Sequence, residues 1–247
     1  MCNPSTEQVV KLPCATAFLG YDPIDDQYKA LSFRRRIWND SSGHLEHKVL
    51  TLGGGKGWRH IKDTPLPYRA TQAHVCINGF LYYVACFTQT RETVLVCFDV
   101  RSEKPSSINA PEVVVQWGKE AIFIEYKGEL ASIVRYSYGL FHCFDLWILE
   151  DPGKHEWSKQ TCVFPFSVWD DVDECREMSF PGTNKAGEVI IAPSLLSRNV
   201  QPFYIFYYRI RDNEDFRRSY GFGRIEDCFV LFAHQHVQSI GFKDPII

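Results

Sequence analysis

Long hydrophobic runs are missing from this sequence. No stretch of 18 apolar residues occurs, so no membrane-spanning helix is expected. The opening "MCNPSTEQVVKLP" lacks the charged start and apolar stretch of a secretory signal. An excess of positive charge is missing too. The net charge is -3, which excludes a broad basic field for nucleic acid or an anionic membrane. No C-x-x-C spacing appears among the nine cysteines at 2, 14, 76, 86, 97, 143, 162, 175 and 228. An odd number of scattered thiols excludes a simple disulfide framework or zinc ribbon, and implies reduced, mostly buried cysteines in the cytoplasm or nucleus.

Long amphipathic helices are also absent. Short runs of apolar alternation take their place: "YKALSF", "HKVLTL", "VLVCFDV", "AIFIEY", "LASIVRY", "FDLWILE" and "FYIFYYRI" read as strands. The 18 Phe, 12 Tyr and 6 Trp favour sheets as well. Turn signals separate the runs: "NG" at 78–79, "KG" at 127–128, "DPG" at 151–153, "AG" at 186–187 and "DNED" at 212–215.

These pieces repeat. "VCING", "FLYYVAC", "TVLVCFDV" and "EKPSSI" form one copy; "IFIEYKG", "ELASIV", "FDLWILED" and "HEWSKQ" form the next. A third runs through "SFPGTNKAG", "EVIIAPS", "FYIFYYRIRD" and "DFRRSY", and an earlier, looser one through "FLGYDPIDD", "QYKALSF", "HKVLTLGGG" and "GWRHI". Each copy reads strand, glycine turn, strand, long variable loop, strand, acidic turn, strand. Four strands in about 50 residues is the period of a kelch-like β-propeller. The expectation is an all-β fold, one domain over 1–247, with four full four-stranded blades. Partial strands at the N-terminus ("CNPSTEQVVKLP") and C-terminus ("DCFVLFAHQHVQSI") add to it. Trp58, Trp147 and Trp157 recur at repeat positions and are expected in the core.

Candidate chemistry is thin. "TLGGGKGWRH" at 51–60 suggests a phosphate loop, but Lys56 is followed by Gly57 and Trp58 rather than the hydroxyl residue that would hold Mg²⁺. In the repeat it occupies the place of "EDPGKHEW", so it reads as a turn between the outer strands of a blade. "HQH" puts His234 and His236 on one strand face without the further ligands zinc needs. "WDDVDEC" at 169–175 lacks the glycine and terminal glutamate of a calcium loop. No metal, no cofactor and no catalytic residue is expected, and the chain reads as a non-enzyme. "FRRR" at 33–36 is a basic cluster at a strand end, suited to an acidic partner or a solvated loop edge.

Several ordered segments resemble a known family: "FLGYDPIDDQYKALSF", "HKVLTLGGGKGWRHI", "VCINGFLYYVA", "LVCFDVRSEKPSSI", "YKGELASI", "LWILEDPGKHEWSK" and "GEVIIAP". They are similar, over residues 2 to about 240, to the type 3 F-box-associated domain of plant F-box proteins, a family expanded in crucifers. "CNPSTEQVVKLP" looks like that family's "NP-S-T … LP" element. The resemblance implies a substrate-recognition module of a Skp–cullin–F-box ubiquitin ligase, whose chemistry belongs to other subunits. Met1 leads straight into the domain, so the chain reads as a truncated relative without an F-box. The Skp adaptor and cullin are implied only if an F-box lies upstream.

Partner contacts are expected on the loops joining the second and third strands of each blade and on the connections between blades. Those loops supply Arg36, Trp38, Arg91, Tyr136, Tyr138, Phe141, Trp169 and Arg198 as anchors for a target protein not yet identified. The competing reading is a propeller enzyme or sugar-binding protein with its site on the central axis, served by the plentiful Tyr and Trp.

Overall fold

The computed structural model describes residues 17–35, 45–54, 57–61, 68–87, 89–116, 122–135, 143–164, 178–193, 195–196, 203–210, 216–221 and 228–229. It is almost entirely β. The first sheet holds β1 (Ala17–Asp22), β2 (Gln27–Arg35), β3 (Leu45–Thr51) and β4 (Arg59–His60). The second holds β5 (Tyr68–Ile77), β6 (Phe80–Phe87), β7 (Thr93–Asp99) and β8 (Lys104–Ile108), followed by the short helix α1 (Glu112–Val115). The third holds β9 (Ile122–Tyr126), β10 (Glu129–Arg135), β11 (Cys143–Asp151) and β12 (Glu156–Val163). The fourth is made of β13 (Met178–Thr183), β14 (Val189–Pro193), β16 (Phe203–Tyr208) and β17 (Phe216–Gly221). A small pair joins β15 (Leu195–Leu196) to β18 (Cys228–Phe229). Each four-stranded sheet is an antiparallel meander in chain order, which is the build of a propeller blade. The repeat read from the sequence is therefore the repeat of the fold.

Local chemistry explains the register. Asn78–Gly79 and Lys127–Gly128 both take positive φ (49° and 86°, 55° and 86°). That is the type I′ geometry whose twist matches two paired strands, and it closes the β5–β6 and β9–β10 hairpins. Three other turns share a different device. The Asp22, Asp99 and Asp151 Oδ1 atoms each accept the backbone N–H groups two and three residues on. The fourth residue on then turns left-handed: Asp26 at 49°, Glu103 at 60° and His155 at 59°. The carboxylate satisfies two donors that the turn would otherwise leave open. In "TLGGGKGWRH", Gly53 has φ 74° and no described residue is helical, so the stretch is the β3–β4 turn expected; Gly55 and Lys56 lie outside the described residues.

The chain divides into two compact units, one holding β1–β8 and α1, the other β9–β18. In the first, two blades pack face to face on Phe18, Leu31, Val49, Leu81, Val96 and Phe98, with Tyr68 and Tyr83 beside them. Gly20 permits the closest approach: a Cβ there would sit 2.5 Å from the Val100 side chain. In the second, Ile124, Phe144, Leu146, Phe180, Ile191, Phe206 and Tyr208 fill the space between the blades. Each such fully buried side chain contributes roughly 1.5–3 kcal/mol of apolar transfer energy.

The tryptophan expectation needs correction. Trp58, Trp147 and Trp157 are half-buried, not core. Trp58 precedes β4 and packs against Ala30, Leu50 and Leu52. Trp147 lies beneath the Lys159 ammonium, 5.7 Å from the ring centroid, and Trp157 sits on the outer strand β12. Trp58 and Trp157 stand at the fourth, outer strands of their blades, where even a large ring keeps one edge in water, whereas Trp147 lies on the third strand, opposite Lys159 of β12. The N-terminal strands expected at 2–13, the "HQH" pair and "WDDVDEC" lie outside the described residues.

Candidate protein-interaction face

A four-stranded meander has two chemically different ends. The connections between strands one and two and between three and four lie at one end. The connection between strands two and three, and the exit from strand four, lie at the other. In this chain the first end carries the Asp and Gly turns, and the second carries the longer connections at 36–44, 136–142 and 194–202 together with a short turn at 88–92.

The tight-turn end of the first unit is tied together by charge. Lys29 Nζ, only 8% exposed, donates to Glu103 Oε1 at 2.8 Å and to the Arg101 carbonyl at 3.1 Å. Arg59 grips the same carboxylate through both Nε (3.2 Å to Oε2) and its terminal nitrogen, and also reaches Thr51 Oγ1 at 3.1 Å. Arg101 faces Asp25 at 3.6 Å. One glutamate thus links β2 and β4 of one blade to the β7–β8 turn of the next. Burial pushes the Glu103 carboxyl up, but the hydrogen bonds from Lys29 and Arg59 outweigh it and hold the group below the usual range.

The long-loop end of the same unit rests on rings. Phe33, at the end of β2, lies 5.2 Å from His47 and 6.0 Å from Tyr68. Tyr68 lies 4.4 Å from His47 and 6.1 Å from Phe87, at the end of β6. The Tyr68 and Tyr83 hydroxyls share a 2.6 Å hydrogen bond in the buried interior. Burial pushes the Tyr68 phenol up to about 12 and drives the His47 imidazole down to about 4. An interaction with the Tyr68 backbone pulls the imidazole the other way, but neither ring nitrogen makes a well-formed hydrogen bond and burial prevails. Such a floor is rigid: its rings are close-packed, and its polar atoms favour the neutral state.

Of the eight residues expected to anchor a partner, Arg91 alone is among the described residues. It is exposed, in the β6–β7 turn, with φ 63°. Its N–H donates to the Phe87 carbonyl at 3.0 Å, and Phe87 N–H donates to the Glu92 carbonyl at 2.9 Å. The turn therefore grows directly from the ring floor. Arg36, Trp38, Tyr136, Tyr138, Phe141, Trp169 and Arg198 lie outside the described residues. Three further residues at this end of their blades were not singled out from the sequence. Arg69 is exposed in β5; Arg135 is exposed at the end of β10 and donates to the Met178 carbonyl at 3.2 Å; Val163 ends β12 with 56% of its surface open. Their common signal is a large or charged residue at the strand end adjoining a long connection. Among the described residues no group of three or more His, Cys, Asp or Glu could hold a metal ion, and no helix is long and apolar enough to cross a membrane.

Repeated four-stranded antiparallel meanders joined by short acid-capped turns define a β-propeller. The family model for the F-box associated β-propeller domain matches residues 1–238, and the chain belongs to that family. It is 54% identical over its full length to putative F-box protein At1g32660 of Arabidopsis thaliana, covering 59% of that protein. It is 46% identical to F-box protein At1g30790 of the same plant, with 98% of this chain and 67% of that protein covered. F-box protein DOR, also from Arabidopsis thaliana, is 35% identical over 95% of this chain and 60% of its own length. The chain thus spans about three-fifths to two-thirds of these relatives.

Proposed function

We propose that this chain is a protein-capture module, the target-recognition part of a Skp–cullin–F-box ubiquitin ligase, and that it holds its target at the long-loop ends of the blades. The observation that carries this reading is the asymmetry of the blades. One end is closed by short, internally bonded turns. The other carries the longer connections at 36–44, 136–142 and 194–202 and, in the first unit, a buried cluster of rings beside the 88–92 turn, an arrangement that suits recognition. Relatives named as F-box proteins support the ligase setting. In that setting ubiquitin transfer belongs to other subunits, and the Skp adaptor and cullin are reached through an F-box. Cys76, Cys86, Cys97, Cys143 and Cys162 are all free thiols, in keeping with work in the cytoplasm or nucleus.

The test is a pair of loop grafts in the full chain. Residues 88–92 are replaced by a Gly-Ser linker in one variant, and residues 152–155 in the other. Target capture from plant extract is then compared by quantitative mass spectrometry. The reading expects specific proteins lost from the first variant and retained by the second. Equal retention by both would remove the long-loop end as the recognition face. The ligase setting fails separately if a longer relative bearing an F-box recovers targets but no Skp adaptor.

A further inference from the structure

The fourth strand of each four-stranded sheet is an edge strand, and an edge is a template for a further strand. Among the described residues these four edges differ. β4 has two residues, β8 five, β17 six and β12 eight. β8 carries Pro105, which lacks a backbone donor. β12, Glu156–Val163, has no proline, and its register against β11 is unbroken from Trp157 to Val163. A lysine projecting from the edge is another common guard. Lys159 is tied back instead: its Nζ meets the buried Asp145 Oδ2 at 2.6 Å and lies over the Trp147 ring. No described strand pairs with the other edge of β12.

The side chains of β12 fall into two rows. Trp157, Lys159, Thr161 and Val163 share the face of Asp145 and Trp147, where Thr161 Oγ1 donates to Asp145 at 2.6 Å. Ser158, Gln160 and Cys162 share the opposite face, where Cys162 joins the core of the second unit. Of the exposed large hydrophobic residues Ile24, Phe80, Val113 and Val163, only Val163 stands on an outer strand, with 56% of its surface open. Trp157, in the same row, is half-buried. An aromatic ring directly opposite a β-branched side chain is a favourable cross-strand pair.

We propose that β12 pairs antiparallel with β12 of a second copy of this chain, about a two-fold axis at Gln160. A two-fold normal to the sheet requires one residue to stand opposite its own copy. Centring on Gln160 overlaps the strand from Trp157 to Val163. It sets Trp157 opposite Val163 of the second copy, twice over by symmetry, and Lys159 opposite Thr161. Ser158 then meets Cys162, and the two Gln160 residues meet each other. No charge faces a like charge. Centring one residue earlier would set the two Lys159 residues against each other and take Val163 off Trp157. The inference is independent of the protein-capture reading and concerns a different surface. Paired copies hold two capture modules together, which favours targets with two binding segments.

The test is sedimentation velocity of the full chain from about 1 to about 100 μM. A dimer should form, and Val163→Glu should weaken it at least roughly tenfold, because the carboxylate would sit against Trp157 of the second copy. Ile24→Glu, the same change at an exposed residue of the β1–β2 turn, should leave the dimer intact. Urea melts check that both variants fold as the wild type does. Register is read separately, in the otherwise unaltered chain. A benzophenone side chain at position 163 of isotope-labelled chain, mixed with unlabelled chain, should crosslink to the unlabelled peptide around Trp157. A monomer across this range, a dimer that Val163→Glu weakens no more than Ile24→Glu, or crosslinks between copies only at other segments would overturn the proposal.

Discussion

His47 offers the most quantitative test of how the ring floor is built. The imidazole is buried against Phe33 and Tyr68, and neither nitrogen makes a well-formed hydrogen bond beyond its interaction with the Tyr68 backbone. Burial lowers its pKa from 6.5 to about 4, so the folded chain holds it neutral where the unfolded chain would protonate it. The direction of the pH effect follows. The group's contribution is complete above pH 6.5, where both states are neutral. It is lost as pH falls from 6.5 towards 4, because in that window the unfolded state binds the extra proton. At 1.36 kcal/mol for each pH unit of difference, the full loss is about 3 kcal/mol, of which about 2 kcal/mol has gone by pH 5. His47→Phe keeps a ring of similar shape and removes the ionisable nitrogens. Urea unfolding of the two proteins at pH 7.5, 6.5, 5.5 and 5.0 isolates the effect, since the carboxylates titrate alike in both. The variant should equal or exceed the wild type at pH 7.5 and gain on it steadily as pH falls. Parallel pH profiles would refute the reasoning and mean that His47 finds a partner for its charge.

Three other expectations concern stability. Tyr83→Phe strands the buried Tyr68 hydroxyl and should cost about 1–3 kcal/mol, whereas removing both hydroxyls should cost less; a double-mutant cycle by chemical denaturation gives the sign. Glu103→Gln leaves Lys29 buried with a weakened partner and should cost roughly 2–3 kcal/mol near neutral pH. Because the Glu103 carboxyl is held below its ordinary 4.5, its contribution is present above that pH and fades as pH falls further, so the variant's deficit in urea melts should shrink in acid. Gly20→Ala forces a methyl against Val100 and should lower the thermal midpoint by an amount equivalent to roughly 1–3 kcal/mol, while Gly57→Ala, with open space around it, should change little.

The blades were legible in the sequence because their turns are local. Asn78–Gly79, Lys127–Gly128 and the carboxylates of Asp99 and Asp151 act within a few residues of chain, so composition and spacing reveal them. The ring floor was not legible. His47, Tyr68 and Tyr83 meet only after two blades pack, and nothing near His47 in sequence marks it as a buried imidazole. The tryptophans misled for a related reason: Trp58 and Trp157 stand at the outer strands of their blades and Trp147 on β11 is only partly covered, so recurrence in the repeat did not report burial. Of the expected partner anchors, Arg91 alone falls among the described residues, exposed on the β6–β7 turn, and the other seven lie on connections outside them.

The central claim is that a target is held at the long-loop end. Site-specific photo-crosslinking measures this most directly. A benzophenone side chain is placed at position 91 in one protein and at position 104, on the opposite end of the same blade, in another. Both are irradiated in plant extract. The account predicts discrete protein adducts from position 91 that a competing excess of unlabelled chain abolishes, and none of those adducts from position 104. The same adducts from position 104, or competed adducts from 104 alone, would contradict it.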